Sequence, residues 1–164
     1  MYKAYQQQHT VMNIFSLIEQ NELIKGEALT AFMIRLSRHV PDFVYEDAKT
    51  FLARCDSLKM PVSIFSYGDT EFQKYKIFNS ECHAYSPIIT DMPKRTHKSL
   101  GHAVLWIDDN PNEFIDSKDD LQRILLCRPG GKYSETMHKK NNWKSIESLD
   151  QIKVTSNSDV RIIR

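Results

Sequence analysis

Three short stretches carry the residue types that could do chemistry. Val62-Ser63-Ile64-Phe65-Ser66-Tyr67-Gly68-Asp69 takes an apolar run into a hydroxyl and a glycine turn. Ile88-Ile89-Thr90-Asp91-Met92-Pro93-Lys94 ends a second apolar run on a lysine. Ala103-Val104-Leu105-Trp106-Ile107 runs into Asp108-Asp109-Asn110-Pro111. A hydroxyl, a lysine and a paired carboxylate, each just past a strand end, form a kit for a phosphoryl group and a divalent metal. Two adjacent carboxylates repel unless a cation or a donor lies between them. Oxygen ligation by one or two carboxylates plus phosphate suits magnesium. Each stretch also has a plain structural use. Asp-Asp-Asn-Pro is ordinary turn chemistry, Ser66 or Asp69 could cap the following helix, and Lys94 could be a surface lysine. Ser66, Tyr67, Gly68 and Lys94 are the phosphate-binding candidates, and Asp108 with Asp109 the metal candidates. Lys98, a turn further on, is a poorer candidate than Lys94.

The elements that must position them follow from periodicity. Apolar residues at helical spacing predict helices over 10–21, 26–39 and 44–57. A strand follows at Val62–Ser66, then a helical pattern through Phe72, Tyr75, Ile77 and Phe78. Pro87–Thr90 reads as a short strand and 94–100 as a short helix. The five apolar residues of Ala103–Ile107 suit a strand covered on both faces. Asn112–Gln122 reads as helix, Arg123–Cys127 as strand, 128–145 as an irregular polar loop, Ser145–Ile152 as a short helix and Val160–Ile163 as a last strand. Strands alternating with helices predict a mostly parallel sheet, with ligands at the carboxyl ends of its strands.

Composition bounds the rest. At 164 residues the chain predicts one compact unit able to bury about two-thirds of its unfolded surface. A hydrophobic content of 41% with 26% charged residues is that of an ordinary globular protein. The net charge of +1 gives no electrostatic ground for nucleic-acid binding, and Lys139, Lys140 and Lys144 read as a solvated loop. No apolar run approaches the ~18–20 residues of a membrane span, and the polar N-terminus lacks the apolar stretch of a signal peptide. Cys55, Cys82 and Cys127 are odd in number and widely spaced, which predicts free thiols and a cytoplasmic location.

Taken in order, the three stretches resemble the haloacid dehalogenase-like superfamily, chiefly its phosphatases. The matching residues are Phe65–Gln73 with Lys76, Ile89–Lys94 and Trp106–Pro111, and Arg128-Pro129-Gly130-Gly131-Lys132-Tyr133-Ser134 is similar to a segment of some bacterial members. The resemblance covers about residues 43–152. It implies a three-layer Rossmann-like α/β sandwich for 43–164, with residues 1–42 as a small helical cap. It implies that Ser66 and Lys94 hold the phosphoryl group and that Asp108 and Asp109 help bind magnesium. Response-regulator receivers use similar parts, but their acidic pair comes first in the chain and here it comes last.

The family's opening strand, which ends in Asp-x-Asp, has no counterpart. Residues 1–41 contain no Asp and no opening apolar strand. The first family aspartate attacks phosphorus and also ligates the metal, so the covalent route is closed and magnesium affinity is expected to be weak or absent. Asp42, Asp47 and Asp159 are poor substitutes. The missing strand would be central, between the strands ending at Ser66 and Ile107. Direct closure, entry of Val160–Ile163, or a strand from a second copy would each fill it, the last giving a homodimer through the unpaired sheet. The expected function is therefore that of a hydrolase-family member, a magnesium-dependent phosphomonoester phosphatase in complete form, that is inactive or truncated as it stands, with a phosphorylated small molecule as its ligand. The alternative is a non-catalytic binding or assembly module on the same fold.

Overall fold

A computed structural model describes residues 18, 20, 26–38, 44–98, 103, 105–115, 121–131, 143–156 and 159–162. It is a mixed α/β chain with small parallel sheets. The chain divides into two compact units, residues 1–45 with 62–92, and residues 46–61 with 93–164. This division runs differently from a cap-and-core boundary at residue 42. No helix among the described residues is long and apolar enough to cross a membrane.

In the first unit, α1 spans Gly26–Ser37, with Glu27 in its first turn and Arg35 in its last, both favourable to the helix dipole. The helix expected over 10–21 lies outside the described residues apart from Ile18 and Gln20, which are helical. Strand β1, Phe65–Tyr67, pairs in parallel with β2, Ile88–Thr90. Val62, Ser63 and Ile64 precede the strand instead of forming its start. Between the strands lies α3, Thr70–Phe78, started by Asp69, whose carboxylate accepts from Phe72 N at 2.9 Å. Tyr75 of α3 donates its hydroxyl to Met33 O of α1 at 2.7 Å.

In the second unit, α2 spans Glu46–Ser57. Strands β3 (Leu105–Asp108), β4 (Gln122–Leu126) and β5 (Lys144–Ile146) form a parallel sheet in that order. Alternation along β4 sends Ile124 and Leu125, both essentially inaccessible, to opposite faces. Ile124 packs with Ile146, Leu149, Ile152 and Val154 against Ala48 and Phe51 of α2. Leu125 packs with Trp106, Phe114 and Leu121. Leu105 and Ile107 of β3 join the first cluster and Trp106 the second, so alternation also puts Asp108 on the Trp106 face.

Several expected elements differ. Of the helix expected over Asn112–Gln122, the described residues show a 3₁₀ turn, Pro111–Phe114, capped by Asn110, and Gln122 as the start of β4; residues 116–120 lie outside the described residues. The expected helix from Lys94 is one 3₁₀ turn, Lys94–Thr96, after Pro93. The helix over Ser145–Ile152 is replaced by β5, a 3₁₀ turn at Leu149–Gln151 and strand β6, Ile152–Ser156. Here the Ser148–Gln151 capping box closes one turn only, and the β-branched residues at 152, 154 and 155 favour a strand. The last strand, β7 (Asp159–Ile162), pairs antiparallel with β6. Val160 is thereby committed to a hairpin and does not fill the central position considered for it.

Candidate functional site

Ser66, Tyr67 and Gly68 lie in the first unit, and Lys94, Asp108 and Asp109 in the second. Each set has its own geometry.

In the second unit the structure brings Lys94 and Asp108 together. Pro93 carries the chain into the short 94–96 turn, and the Lys94 ammonium donates to Asp108 Oδ2 at 2.6 Å. Both side chains are out of water, at 16% and 2% exposure. A buried pair of this kind holds only when its remaining lone pairs are also satisfied. They are: Trp106 Nε1 donates to the same Oδ2 at 3.2 Å, and Asn110 N donates to Oδ1 at 2.9 Å. The indole comes from two residues back on β3, where alternation returns it to the same face. Asp109 is exposed as a whole residue, but its carboxyl end lies partly desolvated beside Asp108. Desolvation of its carboxyl and, after that, the Asp108 carboxylate push its pKa above the usual range, while Lys94 pulls it back. Glu113, almost fully buried, accepts from Arg95 N at 3.3 Å.

This donor set does not fit magnesium. Asp108 already accepts three hydrogen bonds, one from an ammonium. Among the described residues there is no group of three or more His, Cys, Asp or Glu side chains able to hold a metal ion. What the arrangement does is fix a positive charge at the tip of a parallel strand.

In the first unit, the Ser66 hydroxyl donates to Gln73 Oε1 at 2.7 Å, and the Lys76 ammonium donates to the same oxygen at 3.3 Å. Gln73 is a buried hub on α3. Tyr67 closes β1 opposite Thr90. Gly68 N continues the ladder to Thr90 O at 3.0 Å. Gly68 has φ +150°, and a Cβ there would meet Gln73 Nε2 at 2.5 Å. The glycine is therefore required by its backbone, and a Cβ there would also push the Gln73 amide aside. Asp69, not Ser66, is the helix cap, so the Ser66 hydroxyl is used by Gln73.

Sequence reasoning missed the polar cluster around Asp47. Asp47, set aside as a poor nucleophile, lies in the first turn of α2 and accepts from Arg128 Nη2 at 2.8 Å, Leu149 N at 2.8 Å and Ser148 Oγ at 3.0 Å. Burial alone would raise its pKa, but the Arg128, Leu149 and Ser148 donors outweigh it and bring the pKa below the ordinary value. The signals available were Arg128 beside Pro129-Gly130-Gly131 and the Ser148-x-x-Gln151 spacing, and neither says which carboxylate would meet them. Trp106 Nε1 was also missed, although its i, i+2 spacing from Asp108 on a strand was readable.

In comparisons with known proteins, no family model, no curated protein and no solved structure matches the chain.

Proposed function

We propose that these 164 residues are a haloacid dehalogenase-like hydrolase domain that does not turn over phosphomonoesters by itself. In this reading the α/β chain is a Rossmann-like three-layer sandwich with a small helical cap, and its ligand is a phosphorylated small molecule. The observation that carries it is the Lys94–Asp108 pair at 2.6 Å, placed where a parallel strand ends, the usual location of ligand chemistry in α/β sheets. In the first unit Ser66 with Tyr67 and Gly68 would bear on phosphate, and in the second unit, taken by itself, Lys94 would. Asp108 would hold Lys94 in place. Residues 1–41 contain no Asp, so in this reading the covalent route has no nucleophile there.

The test is incubation of the purified protein with a generic aryl phosphate and magnesium. The expected result is no release above the buffer blank. Turnover that disappears in Asp108→Asn would reject the inactivity and require a nucleophile elsewhere in the chain.

A second reading, a non-catalytic binding or assembly module on the same fold, is favoured by a separate observation. The Ser66 hydroxyl, the Lys94 ammonium and both Asp108 oxygens are already engaged by the chain's own groups. Sedimentation equilibrium distinguishes this reading. A stable homodimer supports strand donation from a second copy, and a monomer at all concentrations argues against it.

A further inference from the structure

The cation that neutralises the Asp108 carboxylate is part of the chain. We propose that Lys94 is a built-in counter-cation which takes the place of a divalent metal at this strand tip. The tip then forms in full without metal. This goes beyond the hydrolase reading and stands without it.

Four observations carry it. Lys94 Nζ is 2.6 Å from Asp108 Oδ2, with side-chain exposures of 16% and 2%, so that carboxylate oxygen already carries a cation. The opposite oxygen, Oδ1, is taken by Asn110 N at 2.9 Å. Trp106 Nε1 shares Oδ2 at 3.2 Å. The indole is itself fixed, edge-on to Phe114 at 5.2 Å, and Phe114 is edge-on to Trp143 at 5.5 Å. Finally, Glu113, the other buried carboxylate of this region, takes the Arg95 backbone N–H, so it too is satisfied from within.

A magnesium ion reaching Oδ2 would have to displace a largely buried ammonium while keeping several of its own waters. A ligand that binds only the folded state raises the melting temperature. A site already filled by a side chain gives no such rise.

The experiment is thermal unfolding of wild type, Lys94→Arg and Lys94→Met, each in chelator and in excess magnesium at matched ionic strength. Wild type and Lys94→Arg are expected to melt within about 1 °C of themselves in the two buffers. Lys94→Met is expected to melt several degrees lower in chelator, because Asp108 is left buried without its cation, and to regain part of that loss with magnesium. A wild-type melting temperature that climbs saturably with magnesium overturns the proposal. So does a Lys94→Met protein as stable in chelator as wild type. Should Lys94→Met not fold, the other two proteins decide: flat responses in both support the proposal and a magnesium-driven rise in either overturns it.

Discussion

Two aspartates of the second unit, Asp47 half-buried and Asp108 buried, are held by nearly the same chemistry. Asp47 takes a guanidinium, a backbone N–H and a hydroxyl. Asp108 takes an ammonium, a backbone N–H and an indole N–H. The difference is reach. The Asp47 partners are 81 to 102 residues away, so this carboxylate fastens α2 to the end of β4 and to the turn before β6. The Asp108 partners lie within 14 residues, so this one shapes a single strand end and the turns beside it. A carboxylate ringed by donors is therefore not in itself a sign of catalysis, since the same arrangement here serves as a clasp. What sets the strand tip apart is a second carboxylate, Asp109, whose pKa is raised where that of Asp47 is lowered.

The largest expected effect is at the tip. Asp108→Ala leaves the Lys94 ammonium in a place only 16% exposed and should cost about 3 to 5 kcal/mol, measured by urea unfolding. Asp47→Ala should cost less, about 2 to 3 kcal/mol. The freed Arg128 is long and can turn its head toward water. An Asp47→Ala loss exceeding that of Asp108→Ala would reverse the comparison and make the long-range clasp the deeper of the two.

Acid sharpens the same contrast. The Asp47 pKa is depressed in the folded state, so the stability it contributes is complete above about pH 4, the ordinary carboxyl value. It is lost as the pH falls through the lower folded value. Asp47→Asn lacks that loss, so the stability gap between wild type and Asp47→Asn should narrow below about pH 4. A gap that stays constant down the acid limb would mean that Asp47 is not ionised against Arg128.

Outside the charged clusters, Gly68 gives an intermediate effect. Gly68→Ala should cost about 1 to 2 kcal/mol, from a positive φ and from contact with Gln73. Adding Gln73→Ala should remove the contact and leave the backbone part. A Gly68→Ala cost that persists unchanged in the double variant would assign all of it to φ.

How much of this was readable follows from the range of the interactions. Helices α1, α2 and α3 and strands β1 to β4 were legible because apolar spacing is local and Asp69, Gly68 and Pro93 punctuate it. The region after β4 was less so. Ser145–Ile152 carries enough apolar residues for a helix, and only pairing with β4 and β7 makes its two ends strands. At the tip, Lys94 and Asp108 were legible as residues, but not that they would bind each other. Trp106 reads as a core aromatic and conceals a donor. Asp47 was illegible because its partners lie beyond any local window. Gln73 stands in the quoted motif, yet nothing in a sequence marks one glutamine as the acceptor for both Ser66 and Lys76.

The smallest expected effect tests whether the hydroxyl of the first unit belongs with the charged clusters at all. Ser66 is half-buried and its partner is a neutral amide. Neutral hydrogen bonds contribute about 0.5 to 1.5 kcal/mol, and Gln73 Oε1 keeps the Lys76 ammonium after the hydroxyl is removed. Ser66→Ala should therefore cost about 0.5 to 1 kcal/mol in urea unfolding. Gln73→Ala should cost more, because it removes the acceptor that both donors share. If Ser66→Ala instead matched Asp108→Ala, the hydroxyl would be holding something stronger than an amide. The two halves of the phosphate kit would then have to be treated as equally fixed, and not as a rigid charge in one unit and a replaceable hydroxyl in the other.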